Sequence, residues 1–360
     1  MPRSRDSFLD GLRTLAIVRV VLLHLCLRAE FPAAAALSFA FPGMALLFFV
    51  SGAAAAWSLE PGTRERRERF WLSRGRRLLV PYWAYGLAVV GLAFALELRN
   101  ADPHYHLRPA SLSNWVLPLA VPHLSPALDR LAGHLWFLAA LLFLLASAPL
   151  GLAWHRRRPY AGALALAALG VLLEVLVGLD PGLPVPGLLR HALLFGAAFQ
   201  LGFGWADGSL ARVERGTWLW AVLLCALFAI SVHQRSAPGS ALQAVPLAHV
   251  ALGLALIAAC LGLRGVLERL FATRVFTRLR TFVRPRAYTL FLWGPAANEL
   301  AWRLCQRAGW SSFALYALFA LALLASFGLA LGPLEAWAAR RGRVLRGPRP
   351  ASSTERREAA

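Results

Sequence analysis

Ten stretches of 17 to 21 residues, each built mainly from Ala, Leu, Val and Phe, leave this chain little choice of architecture. They run over 12–28, 39–58, 78–98, 135–153, 160–179, 188–206, 217–233, 246–263, 287–303 and 312–332. At about 1.5 Å of rise per residue, an apolar helix of about 17–25 residues crosses the hydrocarbon core of a bilayer. Lipid offers the backbone no hydrogen-bond partners, so spanning segments of this length must be helices that satisfy their own amides. With 58% hydrophobic and only 16% charged residues, the chain has too little polar surface to cover such an interior in water. The pattern predicts an all-α, polytopic membrane protein with about ten transmembrane helices.

The charges set the expected orientation. All 38 basic residues are Arg, against 18 acids, giving a formal charge of +20. They fall in short runs between apolar stretches, which argues against a nucleic-acid surface. With the N-terminus in the cytoplasm, the inner connections carry 28 arginines and the outer ones 7. That asymmetry is the positive-inside signature, and it places both termini in the cytoplasm and the chain in the cell membrane. Arg3 and Arg5 before the first apolar run resemble a secretion signal, but Arg13, Arg19 and His24 interrupt its core, so an uncleaved first helix is expected. Residues 1–332 read as one membrane domain and 333–360 as a basic, disordered cytoplasmic tail. Cys26, Cys225, Cys260 and Cys305 form no CxxC pair, so neither a disulfide framework nor a metal site is expected. No phosphate-binding glycine loop is present, so any chemistry takes place in or at the bilayer, with the outer segment 99–134 (His104, Tyr105, His106, Trp115, His123) the longest outer connection.

Ionisable groups inside spans are costly and mark functional sites. Arg13 and His24 are eleven residues apart, three turns plus about 20°, which puts them on one face of the first helix about 16 Å apart along its axis. Asp10 lies within pairing reach of Arg13, and Ser7 with Asp10 suits a helix start. Taken singly, Arg13 as a boundary marker and His24 as a packed polar residue account for the pattern equally well. Arg19 points to another sector and needs a partner, for which Glu174 is a candidate. In the second span, Ser51 and Gly52 read foremost as close-packing residues. Arg74 and Arg77, three apart just before the third span, present two planar forks suited to phosphate. His134 and Trp136 open the fourth span at the outer face, while Arg190, His191, His249, Asn298 and Glu299 are further polar groups near outer ends.

These motifs, taken in order, resemble the acyltransferase-3 family of integral membrane acyltransferases. The matching stretches are Phe8-Leu9-Asp10-Gly11-Leu12-Arg13 with His24 beyond, Leu47-Phe48-Phe49-Val50-Ser51-Gly52, Arg74-x-x-Arg77 before Leu78 to Tyr82, and His134-Leu135-Trp136-Phe137-Leu138. The resemblance implies an O-acyltransferase that takes an acyl group from cytoplasmic acyl-CoA, used as a substrate with no permanently bound cofactor. The acceptor it implies is a hydroxyl of a cell-envelope carbohydrate or of a secreted small molecule. It assigns function to Arg13, His24, Arg74 and Arg77. The catalytic set expected here is His24, Arg13 and Asp10, with Arg74 and Arg77 on the donor phosphates and His134 and Trp136 on the substrate, Trp136 being the candidate oxyanion donor. Whether His24 acts as a base or carries the acyl group stays open. One departure from the family stands in the ninth span, where Phe291-Leu292-Trp293-Gly294-Pro295 has Trp293 at a position often occupied by His. Composition alone also suits a membrane transporter or flippase for an anionic or sugar-containing substrate.

Overall fold

A computed structural model describes residues 6–28, 39, 43–59, 64–100, 131, 133–180, 182–183, 185–236 and 245–340, and among them there are only helices and turns. In chain order the helices are α1 (Ser7–Arg28), α2 (Gly43–Leu59), α3 (Arg64–Asn100), α4 (Trp136–Arg157), α5 (Ala161–Leu179) and α6 (Gly187–Ala206). They continue with α7 (Arg215–Ser236), α8 (Pro246–Gly262), α9 (Arg264–Ala272), α10 (Arg274–Val283), α11 (Ala287–Arg307) and α12 (Phe313–Arg340). Among the described residues, each of the ten apolar stretches falls mainly on one of these helices. By length and apolarity the segments 133–157, 161–179, 215–236 and 313–339 each suffice to cross a membrane, and α8 with α9, bent by 77°, has that length and apolarity as a pair, the form of a broken span or a re-entrant loop. The chain is therefore a helical membrane protein.

The helices sort into a centre and a lipid-facing rim. The centre is α1, α2, α4, α6 and α11, whose side chains form one continuous core around Leu12, Phe48, Phe49, Leu138, Phe195 and Leu292. Phe48 stacks on Phe195 at 4.9 Å and meets Phe137 edge-on at 4.8 Å. The rim is α5, α7 and α12, whose Leu164, Leu179, Leu219 and Leu318 stand largely exposed, which suits hydrocarbon and not water. Without a hydrophobic drive between helices in lipid, close backbone approach is what holds such a bundle together. The tightest approach is between α2 and α6: a Cβ on Gly52 would lie 1.9 Å from the Phe199 carbonyl oxygen, and one on Gly202 would lie 2.2 Å from that of Phe49. Gly52 is thus a packing residue, as its small size suggests.

Three local outcomes differ from the sequence reading. Asp6, not Ser7 or Asp10, caps α1, its carboxylate accepting the Phe8 and Leu9 amide protons at 2.9 and 3.1 Å. A second oxygen of Asp6 accepts the Trp205 indole proton, which ties the start of α1 to the end of α6. Helix α3 begins well before the apolar stretch at 78 and carries Pro81 in its interior, so Arg74 and Arg77 sit on a continuous helix. Helix α12 runs on through Pro333 to Arg340, so the boundary expected at 332 falls inside it, and residues 341–360 lie outside the described set. The segment with His104, Tyr105, His106, Trp115 and His123, expected on the outer side, also lies outside it.

Candidate active site

Helix α1 supplies side chains to two cavities stacked along its length, the inner one toward its Ser7 end and the outer one toward its Arg28 end. The inner one, of about 100 Å³, is lined by Arg13 and Ile17 of α1, Ser51 of α2, Arg74 and Arg77 of α3, and Tyr288 and Phe291 of α11, with Glu335 of α12. Helical spacing explains the set: 13 and 17, 74 and 77, and 287, 288 and 291 each fall on one face. Three guanidinium groups and one carboxylate therefore meet in a small volume.

Each of these charges is held in place. The Arg74 guanidinium donates to the Ala54 carbonyl at 3.1 Å and to the Ser58 hydroxyl at 3.2 Å, binding α3 to the end of α2. Arg77 stands 3.7 Å from Glu335, a carboxylate only 2% exposed. The other Glu335 oxygen accepts from both the amide and the hydroxyl of Thr289 at 3.0 Å, fixing α12 against α11. Asp10 lies 4.0 Å from Arg13 and 3.5 Å from Arg284, so it neutralises part of the charge behind the cavity and does not enter it. The arrangement keeps a net positive field at the cavity mouth, suited to an anionic group.

The outer cavity, of about 80 Å³, is lined by Arg19, Val20, Leu23, His24 and Leu27 of α1, Met44, His134, Trp136, His249 and Phe291. The His24 and His134 rings are 6.2 Å apart, and His134 is 5.2 Å from the Phe291 ring. Trp136 stacks on His191 at 4.3 Å. His134 sits in a single 3-10 turn, Gly133–Leu135, which leads into α4 and turns the imidazole inward. Both ring nitrogens of His134, Nε2 of His249, and Nε and Nη2 of Arg19 are buried with no hydrogen-bond partner. Such a concentration of unused donors and acceptors belongs to sites that bind polar groups.

Phe291 is in the wall of both cavities, and its ring is 5.2 Å from that of Phe137 as well. Arg13 and His24, expected along one channel, thus line two cavities with an aromatic wall in common. The structure brings together Arg13, Arg74 and Arg77 in the inner cavity and His24, His134 and Trp136 in the outer one. Glu174 is not the partner of Arg19: it forms a two-pronged ion pair with Arg190, which lines neither cavity. Of the further outer polar groups, His249 joins His24, whereas Glu299 pairs with Arg303 at 2.7 Å. Trp293, at the departure from the family motif, packs against Tyr85 at 5.2 Å and Phe327 at 4.9 Å, and Phe291 from the same stretch takes the wall position.

Sequence reasoning did not single out Tyr288, Phe291 or Glu335 for the site. Glu335 carried one signal: it is the only acid in α12 and stands among apolar residues, where a lone carboxylate needs a cation. Among the described residues no cluster of His, Cys, Asp and Glu is placed to hold a metal ion. The profile of a protein family described as an acyltransferase domain, acyltransferase-3, matches residues 6–332. Comparison with curated proteins and with solved structures gives no match.

Proposed function

Because the chain belongs to the acyltransferase-3 family and is an acyltransferase, we propose that it moves an acyl group from cytoplasmic acyl-CoA to a hydroxyl of a cell-envelope carbohydrate or secreted small molecule. Family membership displaces the transporter reading. The observation that carries the proposal is the pairing of the two cavities: a cluster of arginines in one, an imidazole set in the other, and one phenylalanine in the wall of both. In this reading the nucleotide phosphates of the donor lie against Arg74, Arg77 and Arg13, with charge-assisted hydrogen bonds from the guanidinium forks. The thin pantetheine arm passes Phe291 and carries the thioester toward His24. Asp10 holds Arg13 in place, and His134 and Trp136 border the reacting groups.

At His24, Nε2 or Nδ1 takes the proton of the acceptor hydroxyl as its oxygen attacks the thioester carbonyl. The carbon–sulfur bond breaks, and the CoA thiolate leaves with that proton. If the imidazole attacks first, the same residue carries the acyl group as an acyl-imidazole and water or acceptor releases it. Rapid-quench mass spectrometry separates the two: an acylated His24 peptide marks the carrier, and its absence during turnover marks the base. Arg13, Arg74, Arg77 and Glu335 line one cavity, and that clustering of guanidinium groups beside the arginine-rich connections supports an inner donor site in a cell membrane with both termini inside. The test of the proposal is His24→Ala in the full chain, reconstituted in lipid with labelled acyl-CoA. Transfer and acyl-CoA turnover should both be lost while the protein still inserts and keeps its melting temperature. Retained turnover would remove His24 from the chemistry.

A further inference from the structure

Arg19 is 8% exposed, about 18 Å along α1 from Ser7, and its Nε and Nη2 have no hydrogen-bond partner. It lines the outer cavity with His24, His134, Trp136, His249 and Phe291, and no carboxylate lines that cavity among the described residues. Two acids of the apolar helices are committed elsewhere, Glu174 to Arg190 and Glu299 to Arg303. A guanidinium buried in a membrane bundle is costly unless an anion meets it, and the carboxylate geometry that suits it is bidentate. The imidazoles of His134 and His249 also have unpartnered nitrogens on the same cavity, and each neutral ring can turn one N–H donor to it.

From this geometry we propose that the outer cavity is a carboxylate-binding site, so that the acyl-transfer reaction uses a substrate bearing an acid group near the reacting centre. The proposal rests on the acyl-transfer reading and deepens it. One fixed positive charge matches a carboxylate better than a phosphate dianion, which takes several cations. A cavity of about 80 Å³ holds about five water-sized positions, room for a carboxylate and a short carbon chain beside Arg19. Two sources share this chemistry: the far end of a dicarboxylic acyl group, or an acidic substituent on the acceptor.

Isothermal titration of the full chain in lipid nanodiscs separates them without any turnover. One probe pair is 3-carboxypropyl-CoA against butyl-CoA, thioethers that cannot transfer a group. The other pair is methyl glucuronide against methyl glucoside. Within one pair the wild-type protein should bind the carboxylate probe at least tenfold more tightly, and that pair identifies the source. Arg19→Gln should bring the ratio close to one, and Arg19→Lys should keep most of it. Met44→Glu, which adds a carboxylate to the wall of the same cavity and leaves Arg19 in place, should also abolish the preference, and it serves if Arg19→Gln fails to fold. Equal affinities within both pairs, or a preference that survives Arg19→Gln or Met44→Glu, would overturn the proposal. Should neither thioether bind, the acyl-CoA reading fails and the glycoside pair still decides the carboxylate site. Should both thioethers bind equally and both glycosides equally, the carboxylate site fails and the donor reading stands.

Discussion

Replacing Arg77 with Gln tests the phosphate-binding role of the inner cavity, because this arginine meets a neighbouring helix through a 3.7 Å ion pair with Glu335, whereas Arg74 donates two hydrogen bonds that tie α3 to α2. Its ion-pair partner is Glu335, and its own side chain is 32% exposed. A hydrogen bond to a charged group contributes about 1.5–3 kcal/mol. Partial exposure screens the contact, so the lower end applies, about 1.5 kcal/mol, which corresponds to roughly a tenfold rise in the apparent KM for acyl-CoA. The substitution also leaves the buried Glu335 carboxylate unopposed beside the donor phosphates, which weakens binding further and lowers stability. Arg77→Gln combined with Glu335→Gln removes that second effect: melting temperature should recover relative to Arg77→Gln, while KM stays raised. The assay is initial-rate kinetics in nanodiscs with two donors, acyl-CoA and the corresponding acyl-pantetheine, which lacks the nucleotide phosphates. KM for acyl-CoA should rise and KM for acyl-pantetheine should hold, with kcat little changed for both. Equal shifts for the two donors, or an unchanged value for acyl-CoA, would refute the phosphate assignment.

Other perturbations test neighbouring parts of the same scheme. Gly52→Ala forces a methyl group into the Phe199 carbonyl oxygen and costs about 1–3 kcal/mol of overpacking, read as a melting temperature several degrees lower; an unchanged melting curve would contradict the α2–α6 contact. Phe291→Ala joins the two cavities, so hydrolysis of acyl-CoA by water should rise relative to transfer to acceptor; an unaltered ratio would deny Phe291 its place between them. Asp10→Asn releases Arg13 and Arg284 from their shared carboxylate and should raise KM for acyl-CoA two- to fivefold, by about 0.5–1 kcal/mol, as expected for a half-screened pair. At the end of α6, burial is the largest influence on the Asp207 carboxyl and pushes it up, yet hydrogen bonds from Ser209 and His155 hold it below the ordinary carboxylate value. Its folded value being lowered, its stabilising effect is present above the ordinary carboxylate range and is lost as pH falls through the folded value. The melting-temperature deficit of Asp207→Asn should therefore be largest near neutral pH and shrink on acidification; a deficit constant with pH would reject the pairing.

The legible part of this protein is the part set by local chemistry. Each apolar stretch became a helix because lipid forces backbone amides to pair within their own segment, whatever the neighbours do. The eleven-residue interval between Arg13 and His24 and the three-residue interval between Arg74 and Arg77 placed each pair on a helical face, since helical geometry depends only on spacing along the chain. Such spacing also gave the family motifs their meaning. It left open which faces meet. Glu335 reaches Arg77 from the far end of the chain, in a helix that the composition of its basic surroundings had marked as a tail. Glu174 was one candidate partner for Arg19, but Arg190, on the neighbouring helix α6, takes that carboxylate, and Arg19 stands beside the histidines. Phe291 lies beside a motif position occupied by Trp293, and only the rotation of α11 against α4 decides which of the two rings divides the cavities. Periodicity along a chain is a one-dimensional property that the residues carry with them, whereas the choice of partner across the bundle depends on helix rotation, depth and competition among charges, quantities that come into being when the helices pack.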